Sequence, residues 1–247
     1  GQKTWFATGE GPKLEPLDLD ALDALDVDRS EKVLAPVGET VKRVRDGLGP
    51  ETALIGFAGA PWTVATYMIE GGGSKDRQTA RVAAWAQADR FDALMDVLAE
   101  ATARYLVMQA RTGAEAVKLF DSWADGLPGP LFDRAVIRPT RAIVEKVRAA
   151  GVTVPVIGFP RGAGSQLPRY AHEAGVDAVA LDQGVDPAWA RSVLPEAMPV
   201  QGQLDAAVLR AGGAALDGEI DRLLDAWAGR PYVFNLGHGI TPDMPIP

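Results

Sequence analysis

Six short apolar segments alternate with helical patterns along most of this chain, and that order constrains the fold more than any other feature. The segments cover residues 52–58, 116–120, 154–159, 178–181, 199–203 and 232–237. They are mostly apolar rather than alternately polar and apolar, which is typical of parallel strands covered by helices. With 247 residues, the chain is long enough to bury one full core. The pattern predicts a single α/β domain over residues 1–247.

Six strands in βα order favour an α/β fold of the (β/α)₈ TIM-barrel type, here incomplete at the N-terminus and at the C-terminus. The chain starts at Gly1 without a methionine and shows no helical pattern after its last strand, so we expect it to be part of a longer protein. An open doubly wound sheet is the alternative. Its phosphate fingerprint G-x-G-x-x-G is absent, and the glycines at 71–73 follow a predicted helix rather than a strand.

Composition restricts the possible ligands. The net charge of −8 and the pI near 4.9 argue against nucleic acid or an anionic membrane as a partner. The absence of cysteine excludes disulfides, thiolate nucleophiles and sulfur-ligated zinc, and His172 and His238 are too few for a histidine-based metal centre. No apolar run of about 18 residues and no secretory leader is visible, so we expect a cytoplasmic protein.

The helical spacing of apolar residues also predicts individual helices and the residues that they bury. The spacing predicts one long helix over residues 77–112, with a buried stripe that includes Trp85, Phe91 and Leu94. An earlier helix is predicted to begin at Asp28 or Ser30, either of which could cap it. The stretch before it, around Trp5 and the GEGP sequence at 9–12, is turn-rich and predicts a β-ribbon or a loop.

Polar residues or glycines follow every predicted strand, where a barrel of this type holds its active site. The most open of these ends is GFAGAPWTVATYMIEGGGSKD, residues 56–76, in which a strand passes through Gly59-Ala60-Pro61 into a helix that stops at three glycines. Small side chains at such an end leave room for a ligand and expose backbone N–H groups. The sequence therefore predicts a ligand cleft here, bordered by a mobile loop.

Taken together, the strand ends resemble the uroporphyrinogen decarboxylase family. The motifs that carry the resemblance are GFAGAPWT-x-x-TY-x-x-EGGGSKD, FDSWA, QG-x-LD and NLGHGI-x-P, and the similarity runs from GEGP to the final residues. It implies a distorted (β/α)₈ barrel without metal or organic cofactor, usually a homodimer. The implied activity is removal of carbon dioxide from the four acetate side chains of uroporphyrinogen III, which gives coproporphyrinogen III.

The resemblance implies three catalytic residues. Tyr67 and Ser122 would lie beside a substrate carboxylate or the reacting ring, and His238 would hydrogen-bond an acetate or propionate group. Other interpretations stay open: Tyr67 as a core aromatic, Ser122 as a helix cap, and His238 as a structural residue. Phenol, hydroxyl and imidazole groups can all donate a hydrogen bond to a carboxylate.

The remaining predicted site residues line the cleft. Phe57 and Phe120 would form apolar walls for flat pyrrole rings, and Arg161 would supply charge where the family more usually has lysine. Asp121 and Asp182 also follow strands and could do acid–base chemistry. We favour a structural role for both, as helix caps or as partners of Arg161.

The chain also departs from the family. The family's N-terminal arginine-rich segment and an early aspartate have no counterpart in this sequence, so we expect the 247 residues alone to be inactive and a longer protein containing them to be active. A non-catalytic tetrapyrrole-binding paralogue is one alternative. A related cobamide-dependent methyltransferase is another, but its zinc is held by histidine and cysteine, and cysteine is absent here.

Overall fold

A computed structural model describes residues 2–6, 12–240 and 244. The first elements are two short antiparallel strands, β1 (Thr4–Phe6) and β2 (Pro12–Leu14). The predicted β-ribbon is therefore confirmed. Residues 9–11 of the GEGP sequence lie outside the described residues.

The six predicted strands all form and make one parallel sheet. They are β3 (Ile55–Gly59), β4 (Ala116–Asp121), β5 (Val156–Pro160), β6 (Ala178–Ala180), β7 (Val200–Leu204) and β8 (Tyr232–Leu236). Their spatial order is their order in the sequence. Because a doubly wound sheet would reverse its strand order at some point, this arrangement is that of a curled TIM-type sheet, as predicted.

One helix precedes the first strand of this sheet, and the others follow its strands. They are α1 (Val27–Gly47), α2 (Pro61–Glu70), α3 (Gln78–Ala86), α4 (Ala88–Arg111), α5 (Gly129–Phe132), α6 (Arg138–Ala149), α7 (Leu167–Glu173), α8 (Pro187–Val193), α9 (Ala206–Ala211) and α10 (Gly213–Trp227). In the part of the chain that the structure describes, none of them combines the length and apolarity needed to cross a membrane. The large core lies between helices and sheet, and a small second cluster lies on the inner face.

Two details of the helix prediction are wrong. The helix expected over residues 77–112 is interrupted at Gln87, whose ψ of 51° changes the direction of the chain between α3 and α4. In consequence Trp85 is 53% exposed, whereas Phe91 is buried and packs edge-on against Trp62. The cap of α1 is Asp26, because its backbone is extended and its carboxylate accepts a hydrogen bond from Arg29 N.

One side chain of α4 holds strand β3 in place. Gln109 accepts a hydrogen bond from Phe57 N through Oε1 and donates one to Phe57 O through Nε2, both at 2.9 Å. The neighbouring Gly56 is needed for this approach, since a Cβ there would lie 2.8 Å from Gln109 Oε1. The amide thus fixes the backbone of the first residue predicted to line the cleft.

Candidate active site at the strand ends

Three phenylalanines form a continuous wall on the inner face of the sheet. Phe120 contacts Phe57 on one side and Phe159 on the other, each edge to face with ring centroids 5.8 Å apart. The parallel register explains this, because Phe120 and Phe159 are directly paired across β4 and β5. Phe57 is 61% exposed. Phe159 was not predicted, although its register with Phe120 could have identified it.

Tyr67 comes from α2, and Ser122 comes from the loop after β4, where it directly precedes Trp123. Tyr67 is 38% exposed on α2, with its ring 6.3 Å from that of Trp123, so it is not a buried core aromatic. Ser122 is not a helix cap, because the next helix begins at Gly129 after Pro128. Among the described residues its hydroxyl has no hydrogen-bond partner, which leaves it available to a ligand.

Hydrogen bonds from the start of α2 hold the end of β4 and the loop that carries Ser122. Trp62 Nε1 donates a hydrogen bond of 2.7 Å to Trp123 O, and Ala60 N donates one to Phe120 O. Arg77 lies over the Trp123 ring at 4.9 Å and binds both carboxylate oxygens of Asp125. The end of the glycine-rich stretch at 71–77 is thereby fastened to the loop after β4.

Asp121 points away from the cleft. Its side chain is 2% exposed and accepts a hydrogen bond of 2.6 Å from Thr63 on α2, while its second oxygen has no partner among the described residues. Burial raises the pKa of this carboxyl to about 7. The carboxyl of Asp121 interacts with the side chain and the backbone of Thr63 in the first turn of α2. Asp121 meets Arg161 only through the backbone, where Arg161 N donates to Asp121 O. These contacts fit the structural role that we favoured for Asp121, and that role is to link β4 to α2.

The ends of β5, β6 and β8 bring together Arg161, Asp182 and His238. Asp182 accepts hydrogen bonds from Gly162 N and Gly184 N, at 2.8 and 2.9 Å, and so shapes two loops. Partial burial and the nearby charge of Arg161 lower the pKa of His238, and Asp182 opposes this shift. The imidazole therefore favours its neutral form. Among the described residues Arg161 makes no ion pair, so its charge is available at the mouth.

The structure adds one charged residue that the sequence prediction missed. Lys118 lies inside the curled sheet, with its ammonium 4.6 Å from the ring centre of Phe120 and 4.9 Å from that of Phe159. It sits in the apolar run AVKLF, which by itself predicted only a buried strand. Its position two residues before Phe120, hence on the same face of the strand, was the available signal.

A sheet of this order with aromatic and cationic groups at its carboxyl ends defines a TIM-type α/β protein with a cleft at the strand ends. In a comparison of structures, a methyltransferase from Methanosarcina mazei superimposes with a TM-score of 0.80 at 18% identity, over 99% of this chain and 72% of that chain. At that identity the likeness concerns the fold alone.

Sequence comparison is more specific. Residues 1–247 match the family model described as uroporphyrinogen decarboxylase (URO-D). Proteins named uroporphyrinogen decarboxylase are 66% identical in Maricaulis maris, over all of this chain and 71% of the relative, and 56% identical in Phenylobacterium zucineum, with the same coverage. One from Sphingopyxis alaskensis is 52% identical over all of this chain and 72% of the relative. The chain belongs to the uroporphyrinogen decarboxylase family.

Proposed function

We propose that this chain carries the substrate cleft of a uroporphyrinogen decarboxylase, a carboxy-lyase that converts uroporphyrinogen III to coproporphyrinogen III in tetrapyrrole biosynthesis. The observation that carries the proposal is a family match over the whole chain, together with relatives of that name at up to 66% identity. The cleft at the strand ends supports it, because its chemistry suits a flat molecule with many carboxylates.

Loss of carbon dioxide from an acetate arm leaves an electron pair that must be accommodated. The pyrrole that bears the arm can accept it if a ring carbon is first protonated, so the substrate itself is the electron sink. The protein then has to hold the macrocycle, counter its negative charge and keep a proton donor in a partly dry site. No metal or organic cofactor is needed for this sequence of steps.

The apolar part of this task falls to Phe57 and Phe120. Their ring planes are nearly perpendicular, so the two rings form two adjoining apolar walls of the cleft. An aromatic wall favours pyrrole rings, which stack on or meet edge to face with phenyl groups. The exposure of Phe57 makes it available for such contact.

The polar part falls to Tyr67, Ser122 and His238, which we propose as the catalytic residues. The phenol and the hydroxyl would donate hydrogen bonds to an acetate carboxylate or lie beside the reacting ring. The neutral imidazole of His238 would donate its N–H to a second acetate or propionate. Arg161 would add a full positive charge, which strengthens hydrogen bonds to carboxylates.

The test is turnover of uroporphyrinogen III by the full gene product, with products separated by chromatography after oxidation to porphyrins. Tyr67→Phe, Ser122→Ala and His238→Gln are each expected to lower kcat/KM by roughly 10- to 100-fold, the loss of one hydrogen bond to a charged group. Matched controls outside the cleft are Tyr105→Phe on α4, Ser192→Ala on α8 and His172→Gln on α7. The site assignment fails if the two sets behave alike, and the function fails if the wild type forms no coproporphyrinogen.

The resemblance also supports a cytoplasmic homodimer that acts on this small molecule, without nucleic acid or membrane as a partner. The acidic composition agrees with the last point, since nucleic acid or an anionic membrane would need an extended basic surface and the net charge is −8. Sedimentation equilibrium of the full gene product is expected to give twice the monomer mass. A monomer mass across the micromolar range would contradict the homodimer.

A further inference from the structure

Lys118 crosses the inside of the curled sheet from one wall to another. The residue belongs to β4, yet its ammonium donates a hydrogen bond of 2.7 Å to Gln201 Oε1 on β7. On the way it passes the rings of Phe120 and Phe159, within 5 Å of both ring centres. Phe57 is its direct neighbour across β3 and β4. The ammonium therefore lies at the floor of the cleft whose aromatic walls these rings form.

This charge has no anionic partner in the part of the chain that the structure describes. The neighbouring strands turn only uncharged side chains toward it: Phe57, Ile157, Phe159, Ala178, Ala180 and Gln201. The titratable groups described above at the mouth are Arg161, Asp182 and His238, and none of them is among the causes that shift the pKa of Lys118. Burial alone lowers the pKa of Lys118, to about 8, and the side chain is 7% exposed.

An unpaired buried cation is costly, because cation–π contacts and one amide oxygen replace only part of its hydration. A residue whose only task was to fill the interior would be apolar. The cost is offset when a ligand brings negative charge to the same place, since Coulomb interactions are stronger in a site shielded from water. A polyanion bound over the aromatic wall would do so.

We propose that Lys118 is a specificity-determining residue, whose ammonium at the floor of the cleft selects tetrapyrroles by the number of their carboxylates. The proposal rests on the proposed function, because it takes the substrate to be a polycarboxylated tetrapyrrole. Lys118 acts on the acetates and propionates from below, whereas Arg161 and His238 act at the mouth. Its interaction is therefore largest for uroporphyrinogen and smaller for the product, which has lost four carboxylates.

The experiment is porphyrin binding by the full gene product, followed by quenching of tryptophan fluorescence. The probes are uroporphyrin with eight carboxylates, coproporphyrin with four, and a neutral water-soluble porphyrin. Lys118→Met keeps the length of the side chain and removes the charge, and Lys118→Arg keeps the charge. Lys146→Met is the matched control, because Lys146 lies on α6 and pairs with Glu100 outside the cleft.

At pH 7, Lys118→Met is expected to weaken uroporphyrin binding roughly ten-fold or more. In the same variant, the affinity for coproporphyrin should fall less, and the affinity for the neutral porphyrin should not change. Lys118→Arg should bind uroporphyrin more tightly than Lys118→Met does, and Lys146→Met should bind it as tightly as the wild type. In the wild type, uroporphyrin affinity should fall as the pH rises through about 8, where the ammonium loses its proton. The methionine variant should lack that fall.

Three outcomes would overturn the proposal. One is unchanged uroporphyrin affinity in Lys118→Met, which leaves the proposed function intact if the wild type still turns over uroporphyrinogen. Another is an equal loss for the neutral porphyrin, which would make Lys118 only a support for the phenylalanine rings. The third is absence of uroporphyrin binding by the wild type; the proposed function falls with it only if the wild type also fails to turn over uroporphyrinogen.

A measurement on the wild type protects the test against a variant that fails to fold. Carbon-13 labelling of the lysine side chains allows the pKa of Lys118 to be followed by NMR, and its resonance is the one with the lowered pKa. Saturating uroporphyrin is expected to shift that pKa upward, because a ligand that prefers the charged form stabilises it. An unchanged pKa in the complex would refute the proposal without any variant.

Discussion

Replacing Trp62 with alanine is expected to lower the free energy of unfolding by roughly 3–5 kcal/mol, the usual cost of truncating a large buried aromatic. Trp62 is fully buried at the start of α2, where its ring packs edge-on against Phe91. The indole also donates a hydrogen bond to Trp123 O. Truncation therefore opens a cavity and leaves that carbonyl oxygen without its donor.

Trp62→Phe separates the two contributions. Phenylalanine retains much of the ring contact with Phe91 but cannot donate to Trp123 O. We therefore expect an intermediate loss of stability and a displacement of the loop after β4 at Ser122 and Trp123. Urea unfolding at constant pH measures both variants. Trp85→Ala is the control, since Trp85 is more than half exposed on α3. Similar losses for Trp62→Ala and Trp85→Ala would contradict this account of the core.

The second large effect is a dependence of stability on pH that originates at Asp121. The folded protein holds the proton of this buried carboxyl up to about pH 7, whereas the unfolded chain releases it near the ordinary value of 3.8. Between these values the folded state binds the extra proton, so its stability falls as the pH rises. The full loss is of the order of 4 kcal/mol at about 1.4 kcal/mol per unit, and it is complete above the folded pKa.

Asp121→Asn is expected to remove that slope. The asparagine oxygen can still accept from Thr63, and the neutral amide loses no proton as the pH rises. Relative to wild type, the variant should thus gain stability between pH 4 and about pH 7, as measured by urea unfolding at several pH values. Asp205→Asn is the control, because Asp205 caps α9, a position that asparagine fills equally well. If the free energies of unfolding of wild type and Asp121→Asn change with pH in parallel, Asp121 is not the source of the pH dependence.

The strands could be predicted from the sequence because each has a physical reason to be apolar. Val117 and Leu119 face the helices while Phe120 faces the interior, so both sides of β4 are covered and the run is nearly continuous. The break between α3 and α4 could not be predicted in this way. A single residue, Gln87, changes the backbone direction without disturbing the three- and four-residue spacing on either side.

A sequence motif can nominate residues for the candidate site, but only the structure shows where their side chains lie. Tyr67, Ser122 and His238 stand within recognisable sequence motifs, and the structure places the first two beside Trp123. Lys118 and Asp121 lie three residues apart in one strand, so alternation puts them on opposite faces, but only the structure shows that the first points into the cleft and the second toward α2. Pattern alone treats both as polar exceptions in an apolar strand.

The contact between Gln109 and Phe57 also bears on how this chain meets other chains. β3 is an edge of the sheet among the described residues, and the unpaired N–H and C=O groups of an edge strand are a template for adding a foreign strand. The amide of Gln109 occupies both backbone groups of Phe57. Within the described residues, a foreign strand would have to displace this amide at Phe57, so the glutamine that positions the cleft wall also blocks strand addition at that residue.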